Sequence, residues 1–286
     1  MVKVFELKNI IRNRLEESGV YNSAFETQEI LCHLLSCKKE KLIGILNTEI
    51  SHEVYEKGLE ILEKREKGYP LQYIIGRWDF MGLSLNIFEG VLIFRPDTEC
   101  ICEKAIEFLK ERKNPKILDL CAGSGCIGIS LLHYVSGSCC DFVDLFEKPV
   151  ECIKSNLKLH NLEDRSEVFR KDILSGLSFL SRKYSLIISN PPYIEKGDTR
   201  LEENVLKYEP KTALFAENKG LEFYESICEN SYDFLEEDGK LIFEIGQGQQ
   251  NEVIKIAGKK GFEFLEFIYD IQGIIRGLVF TRGNKI

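Results

Sequence analysis

After residue 96 the chain alternates short apolar runs with helix-like segments, and this rhythm constrains its fold more than any other feature. PKILDL, CDFVDL, EVFRKDI and YSLIISN are the runs, and most are followed by a segment with helical spacing. Parallel strands need long crossovers, and crossover helices cover the sheet. Repeated strand–helix units therefore predict an α/β domain with a mostly parallel sheet covered on both faces. Three later runs, GKLIFEIG, GFEFLEFIYD and RGLVFTR, extend it. The last two are joined by little more than a turn, which predicts an antiparallel pair at one edge.

The first third of the chain reads differently. VFELKNIIRNRLEES and SAFETQEILCHLLSC carry apolar residues at three- and four-residue spacing, and SHEVYEKGLEILEKREKG reads as a third helix ending at Gly68. Ser23 is placed to cap the second helix. Residues 1–68 are thus expected to form a small helical domain. Residues 69–95, punctuated by Gly76, Gly82 and Gly90, are expected to form a β-hairpin connector, with the α/β domain at 96–286.

Bulk properties exclude some functions. A net charge of −8 disfavours a sequence-independent grip on duplex DNA, which needs Lys and Arg against phosphates, although a local basic patch or a basic protein partner stays open. No apolar run approaches the roughly 20 residues of a membrane helix, and the N-terminal segment lacks the pattern of a secretory signal. A cytoplasmic, non-membrane protein is the expectation, with monomer as the default state. The ten cysteines contain no C-x-x-C pair. Cys32-His33-Cys37 matches no common zinc spacing and reads as a helix face carrying small thiols, so no metal is expected.

The first α/β unit, KILDLCAGSGCIGISLLHY, places Asp119 at a strand end and Gly123, Gly125 and Gly128 at the opening of a helix. This satisfies G-x-G-x-x-G in the correct context, where glycines let a ligand approach main-chain N–H groups. Asp144 ends the next strand, 21 residues after Gly123, where a carboxylate can accept both hydroxyls of a ribose. An adenosine-containing cofactor fits, and both a dinucleotide and S-adenosylmethionine suit the glycines. Asp119 tilts the choice toward S-adenosylmethionine, since a carboxylate there can receive an ammonium and would repel a pyrophosphate. Asp172, after the third strand, can accept the exocyclic amine of adenine or can cap a helix.

The fourth strand stops at Asn190-Pro191-Pro192-Tyr193. Ligands bind beyond the carboxyl ends of strands in open α/β sheets. The Asn190 side-chain oxygen and the Pro191 carbonyl are two acceptors on a backbone that the prolines stiffen, and Tyr193 adds a flat face. Two acceptors and a ring suit a planar –NH2 on an sp² carbon. Holding both N–H bonds turns the nitrogen lone pair out of plane, toward a methyl group on a cationic sulfur.

DLCAGSGCIGIS followed by SNPPY resembles the class I S-adenosylmethionine-dependent methyltransferases that act on amino groups, which decides the cofactor. PLQYIIGRWDFMGLSLNIFEGVLIFRPDTE, YEPKTALFAENKGLEFY and FEIGQGQ resemble, in order, the connector, the E-P-x-x-A-L segment and the E-I-G-x-x-Q segment of the HemK-type release factor glutamine methyltransferases. The resemblance runs from about residue 70 to 280. It implies a Rossmann-like seven-stranded methyltransferase sheet behind a helical substrate-recognition domain. It also implies transfer of a methyl group to the N5 side-chain amide of the glutamine in the Gly-Gly-Gln tripeptide of class 1 peptide-chain release factors, with S-adenosylhomocysteine as product.

Carried over, Asn190, Pro191 and Tyr193 form the catalytic set, and Pro192 joins them in holding substrate. Asp119, Cys121, Gly123, Gly125, Asp144, Leu145, Asp172, Ile173 and Asn190 form the cofactor set, with Arg95 and Glu99 as pocket organisers. Phe94 and Asp97 depart from the usual proline and glutamate, and Ile274 and Ile275 from more polar residues. The same acceptor loop would suit a DNA or RNA exocyclic amino-methyltransferase, a reading the acidic balance argues against. A non-catalytic module that has kept the fold is the third alternative.

Overall fold

The computed structural model describes residues 2–283. Two compact units divide between Arg77 and Trp78. In the first, α1 (Val4–Glu17), α2 (Ser23–Leu34) and α3 (His52–Glu66) pack together. Val4, Leu7, Ile11 and Leu15 fall on one face of α1 at helical spacing and are all buried. Gly58 lets α3 come close, since a Cβ there would stand 3.0 Å from a Leu7 methyl carbon. Ser51 caps α3 by accepting the Val54 N–H at 3.3 Å. Ser23 does not cap α2: Asn22 holds that position, and the Ser23 hydroxyl instead donates to Glu16 Oε1 at 3.2 Å.

The expected connector contains less β-structure than its texture suggests. Residues Leu71–Ile75 form a helical turn, closed by the left-handed Gly76 (φ +72°), whose N–H bonds the Gln72 carbonyl at 2.8 Å. The hairpin itself is short, β1 (Arg77–Phe80) against β2 (Leu83–Asn86). Val91, Ile93 and Phe94 then run through the interior without joining a sheet. Phe94 meets Phe80 edge-on at 5.3 Å, so an aromatic pair fills the place where a proline is usual.

The second unit is a three-layer α/β domain. Its strands are β3 (Lys116–Leu120), β4 (Cys139–Asp144), β5 (Ser166–Arg170), β6 (Tyr184–Ser189), β7 (Leu235–Glu244), β8 (Phe262–Tyr269) and β9 (Ile275–Arg282). They lie in the order β8-β9-β7-β6-β3-β4-β5. β9 runs antiparallel to both neighbours, and the other pairs are parallel. All six residues of β6 are buried, as a central strand covered on both faces requires. The helices include α4 (Glu99–Lys110), α5 (Cys126–Tyr134), α6 (Glu147–His160), α7 (Glu222–Ser231) and α8 (Gln250–Lys259). Chain order reverses between β3 and β6, so the crevice beyond their carboxyl ends is where a ligand belongs. Among the described residues no helix is long and apolar enough to cross a membrane.

Candidate active site

Beyond β3 the chain turns through Cys121, Gly123 and Gly125, all with positive φ, before α5 begins. The three glycines of the motif do different work. A Cβ on Gly123 would meet nothing within 4 Å, whereas one on Gly125 would press on Ile129 and Ile153 at 3.1–3.2 Å. One on Gly128 would strike the Phe142 ring at 2.3 Å. Gly123 therefore leaves room for a ligand, while Gly125 and Gly128 let α5 pack on its neighbours.

Gly123 opens onto a cavity of about 740 Å³, a size suited to a nucleoside-containing ligand. Asp144 stands opposite, 9% exposed, with Oδ2 accepting the Gly123 N–H at 2.9 Å and Oδ1 the Phe146 N–H at 3.1 Å. Burial raises its pKa, and these main-chain donors pull it part of the way back. Cys121, Leu145 and Ile173 also line the cavity. Leu145, Phe146 and Leu174 stay about 40% exposed at its rim, apolar surface that a flat ligand would cover.

Asp172 reaches the same wall but lies beyond the end of β5. It caps the turn Ile173–Ser175, one oxygen accepting the Leu174 N–H at 2.9 Å. Asp119 is not brought to the cavity wall. It is 1% exposed, with Oδ2 accepting the Gly128 N–H at 3.0 Å and Oδ1 without a hydrogen-bond partner. Burial pushes its carboxyl up to about 7.

The loop after β6 separates this cavity from a second one of about 790 Å³. Asn190 and Pro192 face the first cavity and Tyr193 the second, while Lys196 and Gly197 line both. Pro191 is buried and lines neither cavity. Three contacts hold the loop. Residues Ile194–Glu195 pair in parallel with Phe215–Ala216. Gln249 Nε2 donates to the Tyr193 carbonyl at 2.9 Å, and Gln249 Oε1 accepts the Gly246 N–H at 3.0 Å. Gly220, at φ +83° in a turn where Asn218 and Lys219 are also left-handed, lies so close that a Cβ would stand 2.1 Å from the Tyr193 oxygen.

Arg95 and Glu99 line neither cavity. Arg95 donates to Glu209 Oε1 at 2.6 Å, and the other Glu209 oxygen accepts the Ile93 N–H at 3.1 Å. Glu99 accepts the Met81 N–H at 2.7 Å and so fixes the β1–β2 turn. Asp97 pairs with Arg276 at 2.6 Å, and Ile275 opens β9, so the unusual residues here have ordinary structural places. Among the described residues no group of three or more His, Cys, Asp or Glu is placed to hold a metal ion.

Sequence reasoning passed over Gln249, Gly220 and Glu244. All three lie inside segments already singled out by resemblance. Glu244 closes a buried apolar strand, the same signal that marked Asp119 and Asp144.

The comparisons agree over most of the chain. Residues 6–76 match the PrmC N-terminal domain and residues 103–209 the methyltransferase small domain. A release factor glutamine methyltransferase of Clostridium botulinum is 36% identical over 262 residues, covering 91% of this chain and 92% of the relative. That of Fusobacterium nucleatum is 36% identical over 273 residues, covering 95% and 77%. A methyltransferase structure from Pyrococcus furiosus superposes with a TM-score of 0.54 at 17% identity, covering 72% of this chain and 91% of that one, which speaks to the fold. With 36% identity over nine-tenths of both chains, and the glycine turn, acid and acceptor loop around one crevice, this chain belongs to the release factor glutamine methyltransferases.

Proposed function

We propose that this protein methylates the N5 side-chain amide of the glutamine in the Gly-Gly-Gln tripeptide of class 1 release factors, with S-adenosylmethionine as donor. The single observation that carries the reading is the 190–197 loop, whose Asn190 faces the cavity that Gly123 opens onto while Tyr193 faces the second. A donor in the first cavity and an amide held at Asn190 can then meet in line.

The residues of the first cavity fit the cofactor. Gly123 leaves open the space a side chain would fill, and the exposed apolar rim suits the adenine. Asp144 uses one lone pair of each oxygen on main-chain N–H groups and keeps others for ribose hydroxyls. Cys121, Leu145, Asp172, Ile173 and Asn190 complete the set. Asp119 and Gly125 support it from behind. When bound, the cofactor supplies a methyl group on a cationic sulfur.

The chain's own part is positioning. Asn190 Oδ1 and the Pro191 carbonyl accept the two amide N–H bonds, and Tyr193 packs on the amide plane. The nitrogen lone pair is thereby aimed at the methyl carbon. With the cofactor bound, its methyl group would pass from sulfur to that nitrogen, which would then shed one proton to solvent. Alignment of this kind contributes about 7–11 kcal/mol in favourable cases.

The test is direct. With labelled S-adenosylmethionine, a class 1 release factor should acquire label on the Gly-Gly-Gln glutamine, located by peptide fragmentation. Label entering DNA or RNA while the release factor stays unlabelled would reject the reading.

A further inference from the structure

Glu244 is a buried carboxylate at the edge of the acceptor loop with no assigned task. It is the last residue of β7, whose register places Phe243 beside Ser189, so Glu244 comes alongside Asn190. It is 4% exposed, and its Oε2 has no hydrogen-bond partner. A buried unpartnered oxygen is costly, and its persistence next to a reacting group calls for a reason. The Asn190 amide lies against it and stabilises its charged form. A carboxylate can only accept, so the end of Asn190 turned toward Glu244 is its –NH2. The opposite end, Oδ1, then faces the first cavity, which Asn190 lines.

We propose that Glu244 is a positioning residue for methyl transfer: by receiving the Asn190 side-chain N–H, its carboxylate fixes the Asn190 amide with the oxygen toward the acceptor nitrogen. This rests on the reading of Asn190 as an acceptor of the substrate N–H. An asparagine whose amide could turn over would present a donor to that nitrogen half the time, and Glu244 removes the choice.

The surroundings of Glu244 make the idea testable by pH. Arg276 faces it from β9, itself held by Asp270 at 2.8 Å and by Asp97 at 2.6 Å. Arg276 favours the Glu244 carboxylate and Asp97 opposes it, while Thr98 also stabilises the charge. The Tyr193 hydroxyl also lies against the Glu244 carboxylate, and the thiols of Cys100, Cys102 and Cys126 and the phenol of Tyr224 stand around it, all pushed up by burial and so neutral below pH 8. Burial dominates for Glu244 too, and pushes it up to about 7. Below that pH a protonated Glu244 can donate to Asn190 Oδ1 and turn the amide the wrong way.

The experiment measures kcat on a release factor from pH 5.5 to 8.5, with cofactor affinity by calorimetry, for wild type, Glu244→Gln and Glu244→Leu. Wild type should lose kcat as pH falls through about 7. Glu244→Gln can still offer an oxygen to Asn190 but cannot titrate, so its acid limb should vanish while much of kcat at pH 8 is kept. Glu244→Leu should lower kcat roughly 10²-fold, with cofactor affinity unchanged.

Three results would overturn the proposal. They are a flat wild-type profile, an acid limb that survives in Glu244→Gln and so belongs to another group, or a Glu244→Leu protein as active as wild type. Should the leucine variant not fold, the isosteric glutamine variant decides by its pH profile alone. Absence of any methylation by wild type would instead strike the functional reading beneath.

Discussion

Replacing Gly220 by alanine adds one carbon and two hydrogens behind the acceptor loop, yet it should nearly silence the enzyme. The added Cβ would stand 2.1 Å from the Tyr193 carbonyl oxygen and 2.9 Å from Gln249 Nε2, where such contacts essentially never fall below 3.0 Å. The acceptor loop must therefore retreat by about 0.9 Å, or residue 220 must move by as much. Residue 220 is poorly free to move, because the preceding turn is left-handed and α7 starts two residues later. Retreat of the loop stretches the 2.9 Å bond from Gln249 to Tyr193, worth about 1 kcal/mol. A displacement of about 1 Å in a positioning element lowers the rate roughly 10²-fold, equal to about 2.7 kcal/mol of barrier. Left-handed backbone adds about 1–2 kcal/mol of instability for any residue with a Cβ. The assay is single-turnover transfer of labelled methyl to a release factor, with cofactor affinity measured separately and expected to stay close to wild type. Gly273→Ala is the control: it carries the same kind of strain at φ +77°, but its Cβ meets nothing within 4 Å. It should lose stability without losing kcat. A folded Gly220→Ala protein with kcat within about threefold of wild type would refute the clamp, since alignment would then tolerate the shift.

Other outcomes follow from the same geometry. Asn190→Ala should lower kcat roughly 10²–10³-fold while calorimetry finds cofactor affinity nearly unchanged. Asp144→Ala should do the reverse, weakening cofactor binding first, because it removes both the hydroxyl acceptors and the brace on Gly123. Folding stability should fall as pH rises from 6 to 8. Asp119 and Glu244 are each pushed up to about 7 by burial, while in the unfolded chain they release their protons near pH 4. The native state thus holds more protons in that window, and each carboxyl takes away about 1 kcal/mol as it ionises. A thermal melt followed across this range should show the drop in wild type and its loss in Asp119→Asn/Glu244→Gln protein.

Much of the α/β unit can be read from residue order because its central strands are buried on both faces and so appear as continuous apolar runs. YSLIIS is the clearest, and all six of its residues are interior. Asn190 and Asp144 are legible for a related reason: each closes such a run, and strand ends are where an open sheet meets its ligands. GVLIF misleads by the same logic. It is apolar, and Val91, Ile93 and Phe94 are buried, but Ile93 sends its N–H to the Glu209 side chain and not to a neighbouring strand. Asp119 looks like Asp144 in sequence, yet Asp144 reaches the cavity and Asp119 turns under α5 to bond Gly128. What pattern alone cannot show is the clamp. Gly220 and Gln249 meet Tyr193 across 27 and 56 residues of chain, and neither Asn218 nor Lys219 announces the left-handed turn that delivers the first of them.

The bond pair at Glu209 sets where this enzyme could be cut and rejoined. Its carboxylate, almost wholly shielded, answers both Arg95 and the Ile93 amide from more than a hundred residues downstream. A graft that took a foreign methyltransferase core from position 96 onward would seat that core's own residue 209 against a borrowed Arg95 and Ile93 amide, and a buried glutamate left unanswered there costs about 3 kcal/mol. Joining the parts near residue 77 keeps the trio together. Anyone building hybrids between relatives should therefore treat the stretch from 78 to 95 as inherited with the catalytic half.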